Sequence, residues 1–116
     1  MPGTVLIVDD HAGFRAALRG MLELAGWQVV GEAADGATAV REAERLQPSL
    51  VLLDVGLSDI DGYEVAARLE RSHCRSAVVL VSVRPARRGP MRTATRFLSK
   101  ADLSPETLQA ALQRSG

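Results

Sequence analysis

The sequence contains a single cysteine, Cys74, which excludes an internal disulfide and suits a reducing compartment. It also lacks any excess of charge: 14 basic and 14 acidic side chains leave a net charge of +0. Overall charge therefore points to neither nucleic acid nor an anionic membrane, and partner preferences must come from local patches. Long apolar runs are missing too. The first, Val5 to Val8, runs straight into Asp9 and Asp10, unlike a secretory leader, and no stretch approaches the ~20 apolar residues of a membrane span. Neither G-x-G-x-x-G nor G-x-x-x-x-G-K-S/T occurs, so there is no glycine-rich loop to cradle a nucleotide phosphate. These absences predict a cytoplasmic location and no membrane partner. What is present is a globular balance, 47% hydrophobic and 24% charged over 116 residues, enough for one domain (1–116) with its own core.

Short apolar runs alternate with helical patterns along the chain, the signature of a parallel sheet covered by helices. Val5-Leu6-Ile7-Val8 and Leu50-Val51-Leu52-Leu53 are apolar throughout, as expected of strands buried on both faces. Trp27 to Ala33 is more mixed and suits an edge. Ala77 to Val81 is a further buried strand, and Phe97-Leu98 marks a short fifth one.

Between them, Phe14, Ala17, Leu18, Met21, Leu22 and Ala25 recur at helical spacing before Gly26. Val40, Ala43 and Leu46 mark a second helix stopped by Pro48, and Tyr63, Ala66 and Leu69 a third. Ser104-Pro105-Glu106 opens the last helix, with Leu108, Ala111 and Leu112 as its buried face. From Val83 to Ala94 there is no apolar stripe. Pro85 and Gly89-Pro90 disfavour an uninterrupted helix there, so the fourth of five helices is expected to be short, displaced or absent.

The informative polar residues fall at strand ends: Asp9 and Asp10 after the first, Asp54 after the third, Ser82 after the fourth and Lys100 after the fifth. In a parallel sheet those ends share one edge, where open α/β folds bind ligands. Clustered carboxylates repel unless a cation intervenes. Hard oxygen ligands in an incomplete cage suit magnesium, commonly completed by a phosphate. A lysine supplies a point charge for a phosphate oxygen and a serine hydroxyl a hydrogen bond. The chemistry predicted is magnesium-assisted phosphoryl transfer onto a carboxylate. Taken singly these residues are unremarkable loop acids and surface groups. Their shared position lifts them. Asp61-Gly62 reads as a turn and helix start, His11 as a helix-start residue, Trp27 as packing, and His73-Cys74 as a loop without metal-ligand companions.

Val8-Asp9-Asp10-His11, Leu53-Asp54 followed by Asp61-Gly62-Tyr63-Glu64, then Ser82, then Phe97-Leu98-Ser99-Lys100 resemble the response-regulator receiver domain of two-component systems. The resemblance spans essentially the whole chain. It implies a doubly wound, flavodoxin-like five-stranded parallel sheet, order 2-1-3-4-5, with helices on both faces. It implies Asp54 as phospho-acceptor, and a metal site formed by Asp10, Asp9 (directly or through water), Asp54 and the Gly56 carbonyl. Ser82 corresponds to the switch hydroxyl, Lys100 to the phosphate-facing amine and Phe97 to the rotating aromatic.

The implied function is a magnesium-dependent, phosphorylation-dependent switch that acts only on itself and is not otherwise an enzyme. A histidine kinase or phosphotransfer protein would supply the phosphoryl group. The Asp-Asp-His opening is most similar to regulators with helix-turn-helix outputs; the receiver itself would not touch DNA. A phosphorylation-independent interaction module on the same fold is the alternative, and a second copy of the domain, pairing on phosphorylation, is a further candidate partner.

Three departures from the family pattern stand out. Ser58 replaces the usual proline, Gly56 removes a side chain that often shields the phosphate, and the interval from Ser82 to Lys100 is shortened. That interval carries Arg84, Arg87, Arg88, Arg92 and Arg96 and no acid, a candidate docking patch at 83–96 for an output domain or an acidic partner.

Overall fold

The computed structural model describes residues 3–72, 74–83 and 95–113. Among these residues five strands form one parallel sheet: β1 (Thr4–Val8), β2 (Gln28–Ala33), β3 (Leu50–Asp54), β4 (Ala77–Ser82) and β5 (Thr95–Ser99). The order is β2-β1-β3-β4-β5, as the resemblance implied. The order reverses at β1, which pairs with β2 on one side and β3 on the other. Among the described residues the helices are α1 (Ala12–Leu24), α2 (Gly36–Leu46), α3 (Gly62–Arg71) and α4 (Pro105–Gln113), with one 3-10 turn at Lys100–Asp102.

Strand alternation divides the core into two layers. Leu6, Val8, Val51, Leu53, Val78 and Leu80 face α2 and α3 and pack on Ala39, Ala43, Val65, Ala66 and Leu69. Val5, Ile7, Leu50, Leu52, Val79 and Val81 face α1 and α4 and pack on Leu18, Leu22, Leu108 and Ala111. Both faces are covered, so β1 and β3 could be apolar at successive positions, whereas β2 at the edge is mixed. Ala17, expected on the buried stripe of α1, is exposed because it lies at the margin of that face, beside rather than beneath Leu18.

Helix ends follow local chemistry. α1 closes with Gly26 at φ 97°, and the amides of Gly26 and Trp27 donate to the carbonyls of Glu23 (3.1 Å) and Leu22 (2.9 Å). That double bond satisfies carbonyls the helix leaves open, and Trp27 packs in the same layer as Leu22. α2 ends at Leu46 with Gln47 left-handed (φ 47°), just before Pro48. Asp35 and Asp61 cap α2 and α3 through the amides of Thr38 and of Tyr63 and Glu64, and Ser104 caps α4 through the Thr107 amide at 3.1 Å.

Of the stretch Val83 to Ala94, where a reduced fourth helix is expected, residues 84–94 lie outside the described residues, as do all arginines of the 83–96 patch except Arg96. Among the described residues, no helix is long and apolar enough to cross a membrane.

Candidate functional site

Asp9, Asp10, Asp54, Ser82 and Lys100 each leave the sheet at its C-terminal edge, and the topology brings them together at the crossover between β1 and β3. One ligand atom from each of Asp9, Asp10, His11 and Asp54 lies within 4.8 Å of all the others. Asp9 is the most enclosed member, its side chain only 1% exposed. Its amide donates to the Ala33 carbonyl at 3.0 Å, which extends the β1–β2 ladder by one residue. Its two carboxylate oxygens are divided: Oδ1 accepts from the His11 amide at 2.8 Å, and Oδ2 accepts from Lys100 Nζ at 2.9 Å. Asp10, on the outer side of the turn, keeps 28% of its side chain exposed.

Asp54 ends β3 and is buried. Lys100 Nζ lies 3.8 Å from its Oδ1. Burial, and then the neighbouring Asp9 charge, push the Asp54 carboxyl above the usual carboxylate range, while the Gly56 amide and Lys100 oppose that rise. Such a group gains from any cation placed between it and Asp9. Lys100 itself sits over the Phe14 ring, 4.1 Å from its centre, so the amine is held among two carboxylates and an aromatic face. His11, Asp54, Gly56, Ser82 and Lys100 line an open cleft of about 350 Å³ together with Val55 and Val83. Phe97 stands on β5 and packs, half-buried, against the core layer of α2 and α3.

The loop that carries Gly56 is fixed at its base and at its tip. The Gly62 amide donates to the Val55 carbonyl at 2.9 Å, and the Val55 amide to the Val81 carbonyl at 3.0 Å. A Cβ at Gly62 would lie 2.5 Å from the Asp54 carbonyl oxygen and 2.7 Å from Val55 Cα, so only glycine allows α3 to start this close to the acceptor. At the tip, the Asp59 carboxylate accepts from the amides of Gly36 (2.8 Å) and Ala37 (3.1 Å) in the first turn of α2. The Gly36 and Ala37 amides hold the Asp59 carboxyl below the usual range. This tether anchors the loop that carries Ser58.

Sequence reasoning did not find the supporting contacts of Asp59, Arg15, Glu32 and Phe14. Asp59 has no motif around it; its role depends on a helix twenty-odd positions upstream. Arg15 spans α1 and β2, with Nε 2.9 Å from Glu32 Oε1 and Nη1 2.6 Å from the Asp9 carbonyl. Glu32 is shared with Arg19 at 2.8 Å and sits below the usual carboxylate range, held there by Arg19 first and then Arg15. Phe14, on the buried stripe of α1, packs partly buried against the layer of α1 and α4, and its ring also lies beneath Lys100, a contact that helical spacing does not reveal. The signal that could have found Arg15 is its spacing of four from Arg19, which puts two cations on one helix face toward an acidic strand.

Comparison with known proteins agrees with this geometry. The family model for the response regulator receiver domain matches residues 5–113. A putative transcriptional regulator of Pseudomonas aeruginosa is 42% identical over 111 residues, covering 92% of this chain and 54% of the relative. The chain thus spans about half the length of the curated relatives it matches. The signal receiver domain of the putative response regulator NarL from Mycobacterium tuberculosis superposes with a TM-score of 0.80 at 30% identity, over 97% of this chain and 98% of that one. The receiver domain of the sensor histidine kinase PA1611 from Pseudomonas aeruginosa, solved with a magnesium ion coordinated in the active site cleft, gives a TM-score of 0.79 at 26% identity, over 99% and 98% of the two chains. With the sheet order, the acidic turn after β1 and the strand-end lysine all in place, this chain belongs to the response regulator receiver domain family.

Proposed function

We propose that the domain is a phosphorylation-dependent signalling switch in which Asp54 accepts a phosphoryl group from a histidine kinase or a phosphotransfer protein. The observation that carries this reading is the convergence of three carboxylates and Lys100 on one cleft at the sheet edge. An Asp54 carboxylate oxygen attacks the phosphorus of a donor phosphohistidine. The new P–O bond forms as the P–N bond breaks, and the departing imidazole nitrogen takes a proton from solvent.

Asp9, Asp10, Asp54 and the Gly56 carbonyl are the groups that would hold magnesium, and the all-oxygen character of that set fits the ion. The bound ion supplies positive charge to the phosphoryl oxygens. Lys100 is poised to exchange its contact with Asp9 for a phosphoryl oxygen on Asp54, since its amine already lies within 4 Å of both acids. Ser82, buried in the cleft wall, donates its hydroxyl to another phosphoryl oxygen, and Phe97 on the neighbouring strand turns with that movement. The domain changes its contacts with partners and catalyses no reaction on a separate substrate.

The relatives of about twice this length carry names of transcription regulators, so output through a DNA-binding partner domain belongs to the same reading. Intact-mass measurement after incubation with magnesium and acetyl phosphate tests it. The expected result is one added phosphoryl group on the wild type and none on Asp54→Asn. An unmodified wild type, or a normally phosphorylated Asp54→Asn, overturns it.

A further inference from the structure

His11 occupies the N-cap position of α1, yet its side chain makes no capping hydrogen bond. The imidazole turns toward the acids instead. Its Nδ1 lies 3.0 Å from Asp10 Oδ1 and 3.2 Å from Asp9 Oδ1. Lys100 takes the other oxygen of Asp9, so Oδ1 is left on the side of the ring. Four donor atoms, one nitrogen and three oxygens, thereby fall within 4.8 Å of one another. A single ion with bonds of roughly 2.0–2.4 Å reaches such a set with small adjustments. The His11 side chain is 73% exposed, so the ring can meet an incoming ion without disturbing the core.

Magnesium gains little from an imidazole, since it prefers oxygen and retains water. First-row transition ions behave differently. Imidazole suits zinc, nickel, copper and iron, and affinity for mixed nitrogen–oxygen sites rises from manganese toward copper. We propose that His11 Nδ1 completes, with Asp9, Asp10 and Asp54, a mixed nitrogen–oxygen site that takes nickel- or zinc-class divalent ions more tightly than magnesium. Such an ion competes with magnesium for the same carboxylates, so the acidic pocket discriminates metals through a residue outside the oxygen set. The inference rests on the acidic pocket being the metal site of the proposed function.

Calorimetric titration of the full chain with magnesium, nickel and zinc chlorides tests it, using wild type, His11→Gln and, as a control for the other histidine, His73→Gln. His11→Gln is expected to weaken nickel and zinc by at least about tenfold while magnesium stays within about twofold, because a ligand is lost for one class of ion only. Cobalt(II) absorption supplies a second readout: the visible bands of the wild-type complex should shift in His11→Gln as a nitrogen donor is replaced by oxygen. Unchanged nickel and zinc affinity in His11→Gln, an equal loss for magnesium, or a loss confined to His73→Gln would each overturn the proposal. Nickel binding that depends on His11 in a protein that does not bind magnesium would instead uphold this inference and remove the magnesium-dependent reading above.

Discussion

Lys100→Met isolates the electrostatics of the cleft. In the wild type the amine lies 2.9 Å from an oxygen of Asp9, whose side chain is 1% exposed, and 3.8 Å from Asp54. Methionine keeps much of the stem's packing and removes the charge, which leaves an enclosed carboxylate facing two others. Removing one partner of a buried pair costs about 3–5 kcal/mol, and the openness of this cleft to water puts the expected value at the low end, about 3 kcal/mol. The lost contact with the Phe14 ring falls within that figure, at roughly 0.5–1 kcal/mol. For a domain of this size each kcal/mol moves Tm by about 4 °C, so a fall of about 12 °C is expected in metal-free buffer. Thermal unfolding followed by circular dichroism measures it. Magnesium should return more stability to Lys100→Met than to the wild type, because the ion replaces the missing charge among the same carboxylates. Adding Asp9→Asn removes the orphaned charge, so the double variant should be more stable than Lys100→Met alone, with a coupling of about 2 kcal/mol. A Tm within about 2 °C of wild type, or strictly additive single substitutions, would refute the assignment of Lys100 as the counter-charge of a crowded acidic pocket.

Asp54→Asn should raise metal-free stability at neutral pH. A carboxyl whose folded pKa is raised favours the fold below its unfolded value, near 4, and loses that contribution as pH rises through the folded pKa; the asparagine variant should therefore gain above that window and match the wild type in acid. Identical melting curves at pH 7 would contradict this. Gly62→Ala should cost about 3 kcal/mol and slow phosphorylation, since its Cβ meets the backbone of Asp54 and Val55 and neither can yield; wild-type stability in a urea titration would count against the close approach. Asp59→Ala should slow phosphorylation by acetyl phosphate severalfold at unchanged final stoichiometry, because the loop loses its tether to α2; an unaltered initial rate would show that the tether does not position the acceptor. Gly56→Met should lengthen the lifetime of the phosphorylated state, as a Cβ there would lie 3.9 Å from Asp54 Oδ2 and a longer chain could exclude water; an equal rate of phosphate release would dismiss shielding at this position.

Much of the architecture was determined by the sequence alone. Val5–Val8 and Leu50–Leu53 had to be buried on both faces, since no alternation offers water a side, and that demands helices on both sides of a parallel sheet. Gly26, Asp61 and Ser104 terminate or start helices through local bonds that need no distant partner, and Pro48 stops α2 because it has no amide to donate, so those boundaries were legible as well. The strand-end positions of Asp9, Asp54 and Lys100 followed from counting apolar residues. Tertiary structure decided what the chain could not state locally. Asp59 reaches a helix that begins at Gly36, Arg15 joins α1 to β2 and to the Asp9 carbonyl, and Phe14 lies under a lysine far along the chain. His11 looked like a helix-start residue because its position is one; only the fold shows its ring turned from capping to the carboxylates. These contacts depend on register and crossover geometry rather than on periodicity. Hydrophobic spacing specifies which face of an element is buried, whereas the partner of an exposed polar side chain is set by which strand ends lie side by side.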